Sequence, residues 1–443
     1  MRIWGNHRLT TFQIIALGFA LMIMIGTLLL MLPLSSRQGT GTGFSDCLFT
    51  ATSAVCVTGL VVRDTVTHWS PFGQAVILFL IQIGGMGVVT AALSLSFVSG
   101  RKIGLMQRSL LQEAISAPQV GGIVRLTRFI ILTTLGFELV GAITLMPAFI
   151  PEFGWGKGIW YAVFHSISAF CNAGFDLMGV HGEFSSMTAY AGNALVNIVV
   201  VLLITIGGIG FLVWNDVKEH GLRLKRYRLQ SKIVLSTSAA MILIPFLWLM
   251  FAEKSGAPAG ERVLTSLFQS VTLRTAGFNT MDLNGISGGG HALMILWMLI
   301  GGSPGSTAGG MKTTTAAVLL LSALAVFRRK EQVTCFGRRI GEDAVRNAAA
   351  ILMMYFLMFF AGGVIISKAE GMPLITCLFE TASAIGTVGL SLGITAQVGG
   401  LSRLVLVALM FMGRVGGLTL IYAAQSVRRG THSTLPLEKI TVG

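Results

Sequence analysis

Apolar and polar positions alternate along this chain in blocks. Eight apolar runs approach the roughly 20 residues that a helix needs to cross a bilayer. They cover residues 11–32, 72–98, 129–150, 195–214, 233–251, 291–324, 348–366 and 404–424. Polar and glycine-rich linkers separate them. The pattern predicts an all-α membrane protein with eight transmembrane helices.

A shorter apolar pattern occurs four times between these runs. Each copy opens with Phe, continues with small and apolar residues, and closes on Gly followed by Leu or Phe. The copies are residues 49–60 (FTATSAVCVTGL), 164–175 (FHSISAFCNAGF), 268–278 (FQSVTLRTAGF) and 379–390 (FETASAIGTVGL). Such a segment is too short to cross a membrane, so we expect four re-entrant pore helices, each between two spans.

The order of these segments predicts four span–pore-loop–span repeats. Two spans per repeat give every repeat the same orientation, and parallel repeats surround an axis along the membrane normal. We therefore expect pseudo-fourfold symmetry around a central pore. The expected repeats are residues 1–98, 99–214, 215–330 and 331–443, the last with a C-terminal tail.

Composition and charge support this class. The chain is 53% hydrophobic and 11% charged, whereas soluble domains carry about 25% charged residues. The net charge of +14 would suit nucleic acid, but Lys and Arg concentrate in alternate linkers. This positive-inside pattern predicts a multi-pass protein of the cell membrane with both termini in the cytoplasm, and no nucleic-acid partner. His and Cys show no metal-ligand spacing, and no catalytic cluster occurs, so we expect neither an enzyme nor an organic cofactor.

A short stretch ending in Gly follows each predicted pore helix. The stretches are Val57-Thr58-Gly59, Asn172-Ala173-Gly174, Thr275-Ala276-Gly277 and Thr387-Val388-Gly389. Helix C-termini carry partial negative charge, Gly allows a positive φ, and a ring of carbonyls can replace the water around a cation. The stretches predict a selectivity filter for a monovalent cation, with Asp176 at its outer mouth. These residues do not distinguish K⁺ from Na⁺.

With these motifs, the chain resembles the Trk/Ktr/HKT potassium-transporter superfamily, and most of all its Ktr-type membrane subunit, over its whole length. The resemblance rests on the four repeats and on VTGL (57–60), NAGF (172–175), RTAGF (274–278) and TVGL (387–390). It implies K⁺ as the transported ion at the filter carbonyls. It also implies a homodimer and a cytosolic nucleotide-binding ring subunit of the RCK/KTN type. This chain carries no Rossmann fingerprint, so nucleotide control would come from that separate subunit.

The second span of each repeat contains a glycine cluster, and the third cluster is unusual. Residues 301–310 (GGSPGSTAGG) hold five glycines and one proline, which no continuous helix tolerates well. We expect two half-helices joined by a loop that lines a cavity at membrane depth. The resemblance implies that this loop is a gate below the filter. The gate residues would be Gly301, Gly302, Ser303, Pro304, Gly305, Ser306, Thr307, Gly309, Gly310 and Lys312. The other clusters favour close helix packing.

Two charges inside the spans need an explanation. Arg414 lies in the last span, where a charge is costly and functional by default. It is either a structural partner of a carboxylate or of loop carbonyls, or a barrier charge below the filter, as the resemblance implies. Lys312 either shares that task or pairs at the end of the loop. Glu138 needs a partner that the sequence does not identify.

The tail and one competing function complete the expectations. Residues 436–443 (PLEKITVG) resemble the C-terminal segment that packs at the dimer interface in the resembling family. A Na⁺-coupled K⁺ symporter, or another secondary cation carrier, is the alternative function. Parallel repeats and carbonyl-type breaks disfavour it.

Overall fold

The computed structural model describes residues 10–91, 104–115, 119, 121–253, 258–417 and 419. Its regular structure is almost entirely helical, apart from a small antiparallel pair of β1 (Thr334–Cys335) and β2 (Arg338–Arg339). The helices are α1 (Thr11–Leu30), α2 (Phe44–Val55), α3 (Thr65–His68), α4 (Pro71–Met86), α5 (Leu105–Ile115), α6 (Ile123–Phe170), α7 (Ala194–Ile209), α8 (Phe211–His220), α9 (Leu229–Phe251), α10 (Ala259–Thr272), α11 (Gly288–Leu299), α12 (Thr313–Phe327), α13 (Glu342–Glu370), α14 (Leu374–Ile385) and α15 (Gly400–Val415).

Four of these helices, α1, α6, α9 and α13, are long and apolar enough to cross a membrane. The pair α7 and α8, bent by 93°, makes a fifth span if it is counted as one. Helix α6 is interrupted at Gly154, whose φ of 76° is not helical. Within the described residues, this is fewer than the eight spans that the apolar runs predict, because the second apolar run of each repeat forms shorter helices.

Three of those shorter helices begin at polar caps, and three of them end at glycines. The side chains of Ser70, Asn193 and Ser287 accept hydrogen bonds from the first turns of α4, α7 and α11. Helices α4, α7 and α15 then stop where Gly87, Gly210 and Gly416 adopt φ of 85°, 104° and 89°. An ordinary side chain disfavours such φ values, so the glycines permit a sharp turn that a continuous span lacks. In the first, second and fourth repeats the structure therefore breaks the second apolar run at a glycine, a break that the sequence analysis expected only in the third repeat.

Four short helices lie at the centre of the molecule: α2, the part of α6 after Gly154, α10 and α14. The phenylalanines that open the four sequence copies are all fully buried in them: Phe49, Phe164, Phe268 and Phe379. Around them the contacts form a closed cycle, because α4 packs on α6, α7 on α10, α11 on α14, and α15 on α2. Each short helix is thus held by a helix from the preceding quarter of the chain.

Polar residues are buried and large apolar residues are exposed, the reverse of the usual arrangement in a water-soluble protein. Small hydroxyl residues such as Ser53, Thr272 and Ser383 are fully buried, whereas Leu21 and Leu139 are 61% and 62% exposed on α1 and α6. Exposed leucines along long apolar helices indicate contact with lipid, and buried hydroxyls mark a polar interior. The fold is that of a helical membrane protein.

Some expectations fall outside the described residues. The C-terminal tail at 436–443 and the division between residues 98 and 99 both do so. The division after residue 214 falls within α8, and the division after residue 330 falls between α12 and β1.

Candidate functional site

The loops that follow the four short helices share an unusual backbone. Each contains a non-glycine residue with positive φ two positions before the closing glycine, which itself has positive φ. The non-glycine residues are Val57 (50°), Asn172 (57°), Thr275 (59°) and Thr387 (51°), and the glycines are Gly59 (92°), Gly174 (69°), Gly277 (82°) and Gly389 (95°). A left-handed conformation is strained for β-branched residues, so the surrounding packing must impose it.

The closing glycines meet in a ring. A methyl group on Gly59 would lie 2.7 Å from the carbonyl oxygen of Ala173, and one on Gly174 would lie 2.8 Å from that of Ala276. One on Gly277 would lie 2.6 Å from the Val388 oxygen, and one on Gly389 would collide with the Thr58 oxygen. The structure therefore brings together the four closing glycines and the residue before each of them, eight of the twelve residues that the sequence analysis assigns to the filter, and the other four precede these in the chain.

Hydroxyl groups on the short helices hold these loops. Ser53 Oγ accepts a hydrogen bond from Gly59 N at 3.1 Å, and Ser383 Oγ accepts one from Gly389 N at 3.0 Å. Ser168 Oγ and Thr272 Oγ1 instead donate to the carbonyls of Phe175 and Phe278, at 2.7 and 2.6 Å. The sequence analysis missed these anchors. Their signal is a Ser or Thr four residues after the opening Phe of every copy.

The third copy is one residue shorter, and the loop after α10 absorbs the difference. In the other three copies the residue before the glycine donates its N–H to a carbonyl five residues earlier; Thr58 N, for example, lies 2.8 Å from Ser53 O. In the third copy Ala276 N reaches Thr272 O, only four residues earlier, at 3.0 Å. Gly277 consequently still joins the ring.

The glycine ring forms the floor of a cavity of about 250 Å³. Its lining includes the four closing glycines and the carboxylates of Asp64 and Asp176. Asp176 Oδ1 accepts a hydrogen bond from Met178 N at 2.9 Å. Burial raises the pKa of Asp176 to about 7, an effect that its bond to Met178 opposes and the nearby charge of Asp64 reinforces. The cavity thus places a titratable carboxylate beside the ring.

A non-helical segment between α11 and α12 contacts the other side of these loops. The break agrees with the two half-helices expected around residues 301–310, which we call the 301–310 loop. Thr307 Oγ1 lies 2.9 Å from Asn172 Oδ1 and 3.1 Å from the Phe170 carbonyl. Gly310 N donates to Gly413 O at 3.1 Å. The loop is therefore bonded to the end of the second short helix and to α15.

Other bonds fix the shape of the 301–310 loop itself. Gly301 N donates to Met311 O at 2.7 Å, Gly302 N donates to Gly309 O at 3.2 Å, and Ser306 Oγ donates to Ser303 O at 2.7 Å. Gly305 O accepts a hydrogen bond from Phe211 N at 2.6 Å. A methyl group on Gly210 would lie 2.7 Å from the Pro304 carbonyl oxygen, so the two backbones are in close contact. The loop is a folded element that is tied to the start of α8.

The two cationic residues assigned to this region both bind carbonyl oxygens. The Arg414 guanidinium donates to Thr307 O in the loop and to the carbonyls of Gly84 and Gly85 at the end of α4. Lys312 Nζ donates to Ala308 O at 2.9 Å. The sequence analysis considered either a carboxylate or loop carbonyls as the structural partner of Arg414. The structure pairs it with carbonyls. Neither cation forms an ion pair with a carboxylate among the described residues.

A second cavity of about 250 Å³ lies beneath the loop and shares no lining residue with the first. Lys312 and Arg414 line it, and so does Glu113 of α5. The backbone of α5 also reaches the loop, because a methyl group on Gly305 would lie 2.5 Å from Ile115 O. The sequence analysis placed residues 105–115 in a linker and assigned them no role, since nothing local in the sequence indicates this contact.

The structure identifies the partners of Glu138. Gln82 Nε2 on α4 donates to Glu138 Oε2 at 3.2 Å, and Cys171 Sγ lies 3.8 Å from Oε1. His165, in the same region, has its ring nitrogens bonded to Tyr161 O and Leu177 N. These residues pack the space behind the second glycine loop.

Known proteins share this sequence and fold over nearly the whole chain. The family described as TrkH, a cation transport protein, matches residues 7–429. Potassium/sodium uptake protein NtpJ of Enterococcus hirae is 38% identical, over 99% of this chain and 98% of its own. Ktr system potassium uptake protein B of Bacillus subtilis is also 38% identical, over 94% of this chain and 93% of its own.

A solved structure has the same fold. The potassium transporter TrkH from Vibrio parahaemolyticus superposes with a TM-score of 0.75 and 19% identity, covering 96% of this chain and 87% of that one. The matched family consists of transporters and not of enzymes. Its match spans all four glycine loops, the 301–310 loop and Arg414, and the chain therefore belongs to the TrkH family of cation transport proteins.

Proposed function

We propose that this chain is the membrane subunit of a K⁺ uptake system and conducts K⁺ through the ring of four glycine loops. The observation that carries the proposal is the ring itself, in which each closing glycine lies against the carbonyl that precedes the glycine of the next loop. Carbonyl oxygens so gathered can replace the water around a monovalent cation. Relatives named as potassium uptake proteins support K⁺ as the ion.

The architecture behind this proposal is four parallel repeats around one pore. The cyclic packing of each short helix on the preceding quarter supports it. The C-termini of the four short helices precede the glycine loops, so their partial negative charges face the ring. The hydroxyls of Thr275 and Thr387 find no hydrogen-bond partner among the described residues, which leaves their oxygens available to a cation.

The 301–310 loop would act as the gate. It is bonded to Asn172 directly below one glycine loop, and Arg414 ties it to the end of α4. In this proposal permeation through the ring requires the loop to move aside, because loop residues line the second cavity on the inner side of the ring and none lines the first. In this proposal Arg414 and Lys312 stabilise the closed loop and place positive charge in the inner cavity.

The proposed setting follows the resemblance. The basic linkers and both termini face the cytoplasm of the cell membrane, the chain forms a homodimer, and a cytosolic ring subunit that binds nucleotide regulates it. Truncating the chain before residue 436 should then weaken the dimer. An intact dimer of the truncated protein on size exclusion in detergent would contradict that role of the tail.

The experiment for the proposed function is ion flux into proteoliposomes. Purified full-length chain should admit K⁺ and Rb⁺ down a gradient and admit Na⁺ less well, with no need for a Na⁺ gradient. One relative is named as a potassium/sodium uptake protein, which favours Na⁺-coupled symport as the second candidate. K⁺ entry that stops without a Na⁺ gradient would support the symporter and reject the channel-like mechanism.

A further inference from the structure

A third cavity, unrelated to the ring, lies between the start of α6 and helix α8. Its volume is about 390 Å³. Arg125 of α6, Lys218 of α8 and Arg228 at the start of α9 line it, together with the apolar side chains of Phe129 and Leu212. Basic side chains from three helices therefore converge on one concave site.

The charge of this cavity is predominantly positive. Lys218 Nζ lies 4.2 Å from the centre of the Phe129 ring, which holds the ammonium at the wall. Arg228 Nε lies 3.5 Å from the buried Asp216 Oδ1, so that cation is partly balanced. Glu219 is the one carboxylate among the lining residues, and its Oε1 accepts a hydrogen bond from Asn215 at 2.8 Å. Arg125 has no ion-pair partner among the described residues.

The start of α6 adds hydrogen-bond donors to the same cavity. The helix begins at Ile123, and its N-cap, Gly122, offers no side chain to the first amides. Free N–H groups at a helix N-terminus carry partial positive charge and bind anions. Gly121, Gly122 and Ile123 all line the cavity. The site therefore combines side-chain cations with backbone donors, and both kinds of group bind phosphate oxygens.

The surroundings match a lipid headgroup better than a free anion. Helix α8 turns 93° from α7 and contains the last four residues of the apolar run 195–214. It buries Phe211, Leu212, Val213 and Trp214 and leaves Val217 45% exposed. The cavity thus joins an apolar wall of Phe129 and Leu212 to a basic rim of Arg125 and Lys218 at the ends of two apolar runs, the combination expected at the boundary between acyl chains and headgroups. Basic pockets between spans at this level bind phosphorylated headgroups.

We propose that this cavity binds the phosphate of an anionic phospholipid. The bound headgroup would bridge α6, α8 and the start of α9. Helix α8 begins with Phe211 N bonded to Gly305 O of the 301–310 loop at 2.6 Å, so an ordered α8 holds the middle of that loop in place. The binding does not depend on the proposed function, whereas an effect on K⁺ flux rests on it.

The binding test uses the purified full-length chain and phosphatidylglycerol as the probe. The double substitution Arg125→Gln with Lys218→Gln removes two cations and keeps the polar side chains. Its matched control is Arg328→Gln with Lys330→Gln, two exposed cations of the α12–β1 segment that do not line the cavity. Native mass spectrometry counts the phosphatidylglycerol molecules retained as detergent and lipid are titrated.

The unchanged chain and the control should retain phosphatidylglycerol. The cavity variant should bind it about thirtyfold more weakly, because each basic residue near the headgroup contributes about a fivefold gain in affinity and two are removed. Equal retention by all three proteins would overturn the proposal, as would equal losses by both variants. Inorganic phosphate that displaces the lipid at millimolar concentration would assign the cavity to a soluble anion instead.

A second measurement guards against a folding defect in the variant. In phosphatidylcholine nanodiscs the three proteins should unfold at the same temperature. Adding phosphatidylglycerol should raise the unfolding temperature of the unchanged chain and of the control. The unfolding temperature of the cavity variant should stay the same. A cavity variant that is stabilised as much as the control contradicts the assignment.

Discussion

The guanidinium of Arg414 donates a hydrogen bond to the carbonyl of Thr307, 107 residues earlier in the chain. The same guanidinium also binds the carbonyls of Gly84 and Gly85. One side chain of the fourth quarter therefore joins the 301–310 loop to the first quarter. A charged donor that satisfies three carbonyls at once makes bonds that are stronger than neutral ones.

Replacing Arg414 should free the loop. In Arg414→Ala the three hydrogen bonds are lost, and each bond to a charged group contributes about 1.5–3 kcal/mol. A loss of about 1.4 kcal/mol in the closed state already raises the open population tenfold, so K⁺ flux should increase at least about tenfold. Flux into proteoliposomes measures this. The control is Arg346→Ala, an exposed arginine of α13 paired with Asp343.

A conservative variant separates the two roles of Arg414. Arg414→Lys keeps the positive charge but lacks the planar fork that reaches several carbonyls. If the hydrogen bonds hold the loop, the lysine variant should conduct nearly as fast as the alanine variant. If the charge alone is the barrier, the lysine variant should stay as slow as the unchanged chain, and that result would reject the role of the bonds.

Thr307 provides an independent test of the same loop. Thr307→Val keeps the shape of the side chain and removes its hydrogen bonds to Asn172 Oδ1 and the Phe170 carbonyl. A net loss of about 1 kcal/mol in the closed state predicts a roughly fivefold increase in K⁺ flux. Thr144→Val is the control, because the Thr144 hydroxyl donates within its own helix, to Val140 O. Equal flux from both variants would count against the loop as the gate.

The glycine ring predicts a steric block. In Gly59→Ala the new methyl group would meet the Ala173 carbonyl at 2.7 Å, at a φ of 92° that alanine adopts poorly. We expect K⁺ flux to fall at least about tenfold, equivalent to a barrier increase of about 1.4 kcal/mol. Flux and the K⁺/Na⁺ ratio, measured at equal protein density, test this.

Gly371→Ala is the matched control for that substitution. Gly371 also has a positive φ, 68°, but open space surrounds the position of its missing methyl group. Both variants should lose about 1 kcal/mol of stability from backbone strain, and Gly59→Ala should lose more because its methyl group also meets the Ala173 carbonyl. Only Gly59→Ala should lose flux. Equal losses in both would show that strain, rather than the crowded ring, limits transport.

The sequence predicted the position of the ring better than the course of the helices around it. The recurrent Phe and Gly marked all four loops, because one local conformation is needed four times. A glycine within an apolar run is ambiguous, since it permits both close packing and a helix end. Here the glycines do both. A methyl group on Gly84, Gly207 or Gly413 would strike the carbonyl of Val55, Phe170 or Ile385, and α4, α7 and α15 each end two residues later.

The contacts between distant segments could not be predicted from the sequence. The partners of Arg414 are backbone carbonyls in two distant segments, and a carbonyl leaves no trace in residue identity. The contact between Glu138 and Gln82 likewise joins two apolar helices whose relative rotation no local pattern reveals. By contrast, the break at residues 301–310 was predictable because glycine and proline act on their own segment.

The outer cavity predicts a dependence of K⁺ entry on pH. Burial raises the pKa of Asp176 to about 7, so its carboxylate is mostly charged at pH 8 and mostly neutral at pH 6. A charge about 4 Å from the ion in a wet cavity contributes about 1 kcal/mol. K⁺ entry at low external K⁺ should therefore fall roughly fivefold from pH 8 to pH 6, and Asp176→Asn should be slow at both values.

The control Glu183→Gln, which changes an exposed carboxylate outside that cavity, should keep the pH dependence. An Asp176→Asn protein that still loses entry between pH 8 and pH 6 would assign the titration to another group.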